Sequence, residues 1–123
     1  MKNILVTGGA GFIGSNFVPY FIEKYPDYTI INLDKLTYAG NLDNLKEVEK
    51  NPRYKFIKGD ICDNALVEKI FRDYDIKGVI HFAAESHVDN SIKWPEVFID
   101  TNIKGTFVLV NNARNHWIDK PFN

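Results

Sequence analysis

Between two apolar stretches the chain reads Thr7-Gly8-Gly9-Ala10-Gly11-Phe12-Ile13-Gly14. An apolar run rich in β-branched residues (Asn3–Thr7) precedes it, and a segment of helical spacing (Phe12–Lys24) follows. Two glycine patterns overlap. Gly9, Gly11 and Gly14 give G-x-G-x-x-G, and Gly8, Gly11 and Gly14 give G-x-x-G-x-x-G. Both describe a strand-to-helix turn too tight for a Cβ, with backbone free to approach a phosphate and a helix packed closely on the strand. The unbonded N–H groups at the helix start favour an anion there. A glycine turn can also be purely structural. Its position between strand and helix is the context that a dinucleotide-binding reading requires.

The rest of the chain repeats that alternation. Further strands are expected at Thr29–Asp34, Tyr54–Lys58 and Gly78–Phe82, and further helices at Leu42–Glu49 and Ala65–Tyr74. A polar loop, Ala83–Lys93, leads to Pro95 in a first helical turn and a long helix to about Arg114. Strand–helix alternation calls for right-handed βαβ units and a parallel sheet. Near-continuous apolar strands such as Ile4-Leu5-Val6 are expected of a sheet covered on both faces. The expected fold class is α/β, a Rossmann-like doubly wound parallel sheet in the order 3-2-1-4, truncated after about four strands. Residues 1–123 then form the N-terminal portion of an NAD-binding domain. Strand 4 is left as an uncovered edge, which suggests the first part of a larger domain.

Composition narrows the function classes. With 45% hydrophobic and 25% charged residues the chain can build a core, and 123 residues leave room for one domain. Fifteen basic residues against sixteen acidic give a net charge of -1, so nothing points to nucleic acid or an anionic membrane. Cys62 has no second cysteine to pair with, which fits a reducing compartment. No apolar run approaches the roughly 20 residues of a membrane span, and the expected location is the cytoplasm.

Asp34 closes the second strand twenty residues after Gly14. An acidic residue at that distance accepts hydrogen bonds from the adenosine ribose hydroxyls and would repel a 2′-phosphate, which favours NAD over NADP. Lys35 follows and pulls the other way, and Asp34 could also simply cap a turn. Asp60 follows the third strand. It can face adenine at the carboxyl end of the sheet or cap the next helix, and position alone does not choose between them.

Three further stretches carry a resemblance. They are Asp34-Lys35-Leu36-Thr37-Tyr38-Ala39-Gly40-Asn41-Leu42, Phe82-Ala83-Ala84-Glu85-Ser86-His87-Val88-Asp89 and Thr101-Asn102-Ile103-Lys104-Gly105-Thr106. With the glycine loop they resemble the extended short-chain dehydrogenase/reductases, specifically the branch that dehydrates nucleotide sugars, from Met1 to about Trp117. The resemblance implies that Gly8, Gly11, Phe12, Ile13 and Gly14 meet the pyrophosphate, and that Asp34, Lys35, Leu36 and Thr37 hold the ribose. It implies Asp60 and Ile61 beside adenine. Phe82, Ala83, Ala84, Glu85 and Ser86 would line the cofactor, Ser86 also facing the sugar nucleotide, and Thr101 would contact the cofactor. Asn102 matches a position that organises the active site. Asn90 stands where the branch usually has Arg, which removes a loop salt bridge or phosphate contact.

The implied substrate is dTDP-glucose, converted to dTDP-4-keto-6-deoxyglucose through oxidation at C4, loss of water across C5 and C6, and return of hydride. The resemblance also implies a homodimer built on long helices, with Val97, Phe98, Phe107, Val108 and Leu109 in the first. Its catalytic Tyr-x-x-x-Lys and Asp-Glu motifs match nothing suitable in this chain, so no catalytic residue is assigned and the chain alone is expected to be inactive. Tyr20/Lys24 and Tyr54/Lys58 have the spacing, but the first lies far from any nicotinamide and the second lies in a strand. His81, His87 and Cys62 do not form a metal set. The competing readings are a UDP-sugar 4-epimerase or dehydratase of the same family, and a non-catalytic NAD-binding module.

Overall fold

The computed structural model describes residues 2–9, 12–35, 45–46, 48–82 and 104–119. In chain order the elements are β1 (Lys2–Thr7), α1 (Phe12–Lys24), β2 (Tyr28–Asp34), β3 (Tyr54–Lys58), α2 (Asn64–Tyr74), β4 (Ile76–His81) and α3 (Gly105–Asp119). The four strands form one parallel sheet in the order β3-β2-β1-β4, as the alternation predicts.

The period of two along each strand sorts side chains onto two faces. Leu5, Ile31 and Leu33 pack with Val67, Ile70 and Phe71 of α2 and with Val108, Leu109 and Ala113 of α3. Ile4, Val6 and Ile30 face the other way, onto Val18 and Ile22 of α1 together with Leu45 and Val48. A sheet covered on both faces explains why its central strands are apolar at nearly every position.

Boundaries move where tertiary bonds decide them. β4 begins at Ile76, two residues before the expected Gly78, and ends at His81. Asp75 ends α2 in the left-handed region (φ 47°), its N–H bonding to the Phe71 carbonyl, and this reversal delivers Ile76 directly into pairing with Asn3. α3 continues past the expected Arg114 to Asp119. Its last turns are held by His116 Nε2 against Asp75 Oδ1 (2.9 Å) and by Trp117 Nε1 donating to the Ile76 carbonyl (2.8 Å). Of the helix expected over Leu42–Glu49, the described part is a turn in which the Val48 and Glu49 N–H groups both bond to the Leu45 carbonyl. The expected start of the long helix at Pro95 lies outside the described residues. Among the described residues no helix is long and apolar enough to cross a membrane.

Candidate functional site

The loop after β1 crosses toward the end of β2. Gly8 takes φ 72°, a conformation that side chains resist, and its N–H donates to the Leu33 carbonyl at 3.0 Å. The Gly9 N–H donates to Oδ1 of Asn32 at 2.9 Å. Asn32 is fully buried in β2, and its Nδ2 donates in turn to the Tyr54 hydroxyl at 3.1 Å. A Cβ on Gly9 would sit 2.5 Å from Asn32 Oδ1, and one on Gly14 would sit 2.5 Å from the Gly8 carbonyl oxygen. The loop is therefore pressed between a buried amide below and the start of α1 above. The two glycine patterns each capture part of this. Gly8 is needed for its φ, Gly9 for the contact with Asn32 and Gly14 for helix packing. Gly11 lies outside the described residues, and of Phe12 only the backbone is described.

In the sequence Asn32 is one polar residue in an apolar strand, and no local pattern marks the link through His81. Nδ1 of His81 lies 2.6 Å from Thr7 Oγ1, and its Nε2 lies 3.1 Å from Thr106 Oγ1. One imidazole thus joins the last residue of β1 to the end of β4 and to α3. Burial pushes its pKa below the ordinary value of 6.5.

The acidic residues sit at the carboxyl ends of β2 and β3. Asp34 is the last residue of β2 and is 7% exposed, and its carbonyl accepts the Gly59 N–H at 3.1 Å. Asp60 does not cap α2. That cap is Asp63, whose side chain accepts the Leu66 N–H at 3.2 Å. Asp60 instead uses Oδ1 to accept the Cys62 N–H (2.9 Å), and its Oδ2 lies 3.3 Å from Lys35 Nζ. Partial burial opposes ionisation of this carboxyl. The Cys62 N–H and the Lys35 ammonium outweigh it and hold its pKa below the usual carboxylate value.

Two of the residues expected near the cofactor have side chains packed on other apolar groups. Ile61 is only 5% exposed and packs in the core with Leu33, Val67 and Ile70. Phe82 turns its ring onto Phe17 of α1, with centroids 5.4 Å apart, while its N–H bonds to the Thr7 carbonyl. Ile13, by contrast, is 66% exposed beside the loop. Leu36, Thr37, Ala83, Ala84, Glu85, Ser86, His87, Asn90, Thr101 and Asn102 lie outside the described residues.

The two Tyr/Lys pairs do not resemble a catalytic base. Lys24 Nζ donates to the Tyr20 hydroxyl on the exposed surface of α1. Burial raises the pKa of Tyr54, the Asn32 hydrogen bond opposes this only in part, and the Asp34 and Glu49 charges add to the rise. A base needs the opposite shift. Among the described residues no group of three His, Cys, Asp or Glu is placed to hold a metal ion.

The donor set fits a dinucleotide. A glycine loop meets a helix N-terminus at the carboxyl end of β1, and a carboxylate stands at the end of the adjacent β2. Comparison with known proteins agrees. The family described as GDP-mannose 4,6 dehydratase matches residues 5–123. A dTDP-glucose 4,6-dehydratase of Haemophilus influenzae is 55% identical over 117 residues, which are 95% of this chain and 34% of that protein. This chain therefore spans about a third of the length of the curated relatives it matches. A dTDP-glucose 4,6-dehydratase from Streptomyces venezuelae, solved with NAD bound, is 47% identical with a TM-score of 0.87, over 94% of this chain and 36% of that one. A UDP-glucose 4-epimerase from Thermotoga maritima is 37% identical with a TM-score of 0.82, over 94% and 35%.

Proposed function

The chain belongs to the GDP-mannose 4,6 dehydratase family, and on that premise we propose that it supplies the NAD-binding part of a dTDP-glucose 4,6-dehydratase. The observation that carries this reading is the pairing of the glycine loop with Asp34 across the β1–β2 edge of the crevice. Gly8, Gly9 and Gly14 keep the loop free of side chains, so backbone N–H groups and the α1 terminus meet the pyrophosphate. Asp34 accepts the ribose hydroxyls, and its charge disfavours a 2′-phosphate. Asp60 stands beside the adenine. The chemistry that NAD supplies when bound there is hydride acceptance and return. Higher identity to the dehydratases (55%) than to the epimerase (37%) favours dTDP-glucose as the substrate of the whole protein.

The homodimer belongs to the same proposal, with a changed surface. Val108 and Leu109 are buried in this chain's own core, whereas Phe107, Val110 and Ile118 are exposed along α3 and offer an apolar face. Val97 and Phe98 lie outside the described residues.

Titration calorimetry tests the cofactor assignment. NAD should bind with 1:1 stoichiometry and NADP more weakly. Tighter binding of NADP, or no binding of either, would overturn it.

A further inference from the structure

We infer that Asp60 acts as a specificity residue by holding the Lys35 ammonium away from the position a 2′-phosphate would occupy. This rests on the reading of the crevice as a dinucleotide site.

Lys35 is the first residue after β2, adjacent in sequence to the ribose-binding Asp34. A cation next to that carboxylate is the group that accommodates a 2′-phosphate in NADP-binding relatives of this fold. In a chain that uses NAD, such a lysine is a liability unless it is occupied. The structure occupies it. Lys35 Nζ lies 3.3 Å from Asp60 Oδ2, across from the end of β2 to the loop after β3. The two strand ends are tied by the Gly59 N–H to the Asp34 carbonyl, which fixes the carboxylate within reach of the lysine. The other oxygen of Asp60 is anchored by the Cys62 N–H, so the carboxylate is oriented independently of Lys35. Lys35 is exposed, with 57% of its side chain accessible, so an incoming phosphate can reach it.

Substituting Asp60→Asn keeps the Oδ1 acceptor for Cys62 and removes the charge that retains Lys35. Whatever Asp60 contributes to adenine is common to NAD and NADP and cancels in the ratio of their dissociation constants. That ratio, Kd(NADP)/Kd(NAD), is measured calorimetrically for the parent protein, D60N, K35M and the double variant. Exposed ion pairs are weak, so D60N should lower the ratio by about 2- to 5-fold. In the K35M background the same substitution should leave the ratio unchanged. An unchanged ratio in D60N, with NAD still binding, overturns this inference and leaves the cofactor reading intact. A shift just as large in the K35M background overturns it as well. A parent protein that binds neither nucleotide overturns the cofactor reading itself, and this inference with it. A second readout needs no cofactor. In K35M the Asp60 carboxyl, followed by NMR titration, should move up in pKa, and an unmoved titration would show that the pair does not form.

Discussion

Oδ1 of Asn32, fully buried in β2, accepts the Gly9 N–H at 2.9 Å, while Nδ2 of the same amide donates to the Tyr54 hydroxyl at 3.1 Å. One buried side chain in the sheet thus sets the height of the glycine loop above it. Asn32→Ala removes both bonds and leaves buried polar groups unmatched, at a cost of about 1–3 kcal/mol each. Tyr54→Phe removes only one partner. Urea denaturation should therefore rank Asn32→Ala well below Tyr54→Phe in stability, and only the former should also weaken NAD binding. Equal losses would show that the bond to Gly9 carries little.

Gly14→Ala should be costly and Gly78→Ala mild. At Gly14 the new Cβ meets the Gly8 carbonyl at 2.5 Å and Gly9 Cα at 2.7 Å, both backbone atoms that move only if the loop opens. At Gly78 it meets only the end of Ile4 at 3.1 Å, which can rotate away. Overpacking of the first kind costs about 1–3 kcal/mol. Thermal or urea unfolding of the two variants checks the ranking, which an equal effect would contradict.

Asp34→Ala should weaken NAD by about 10- to 100-fold, the range for charged hydrogen bonds lost in a buried setting. It should affect NADP far less, because the same carboxylate repels the 2′-phosphate. Calorimetry with both nucleotides reads the difference, and unchanged NAD affinity would remove Asp34 from the site.

Stability should fall in mild acid because of His81. Its folded pKa lies below the unfolded value of 6.5, so the unfolded chain takes up the proton first. The contribution is complete above that pH and is lost as the pH falls from 6.5 toward the folded pKa. The Asp60 carboxyl, also depressed, acts only below its unfolded value of 3.8, outside this window. Unfolding free energies at pH 7.5 and 5.5 should differ more in the parent protein than in His81→Gln. Identical differences would assign the effect to other groups.

Local sequence determined the strand and helix sequence, the parallel order and the place of the glycine turn. Each of these rests on near-neighbour physics: the period of two in Asn3–Thr7, the helical spacing of Phe12–Lys24 and the glycines between them. The twenty-residue interval to Asp34 belongs with them, because βαβ geometry fixes where the second strand must end. Tertiary structure alone decided which polar residues meet. Asn32 reaches Gly9 from 23 residues away and His81 reaches Thr7 from 74, across strands whose register no local pattern encodes. It also packed the side chains of Ile61 and Phe82 against other apolar residues, and gave Asp60 the Lys35 ammonium as a partner while leaving the α2 cap to Asp63. A side chain's role at the end of a strand depends on what the neighbouring strand brings beside it, and that is settled only when the sheet forms.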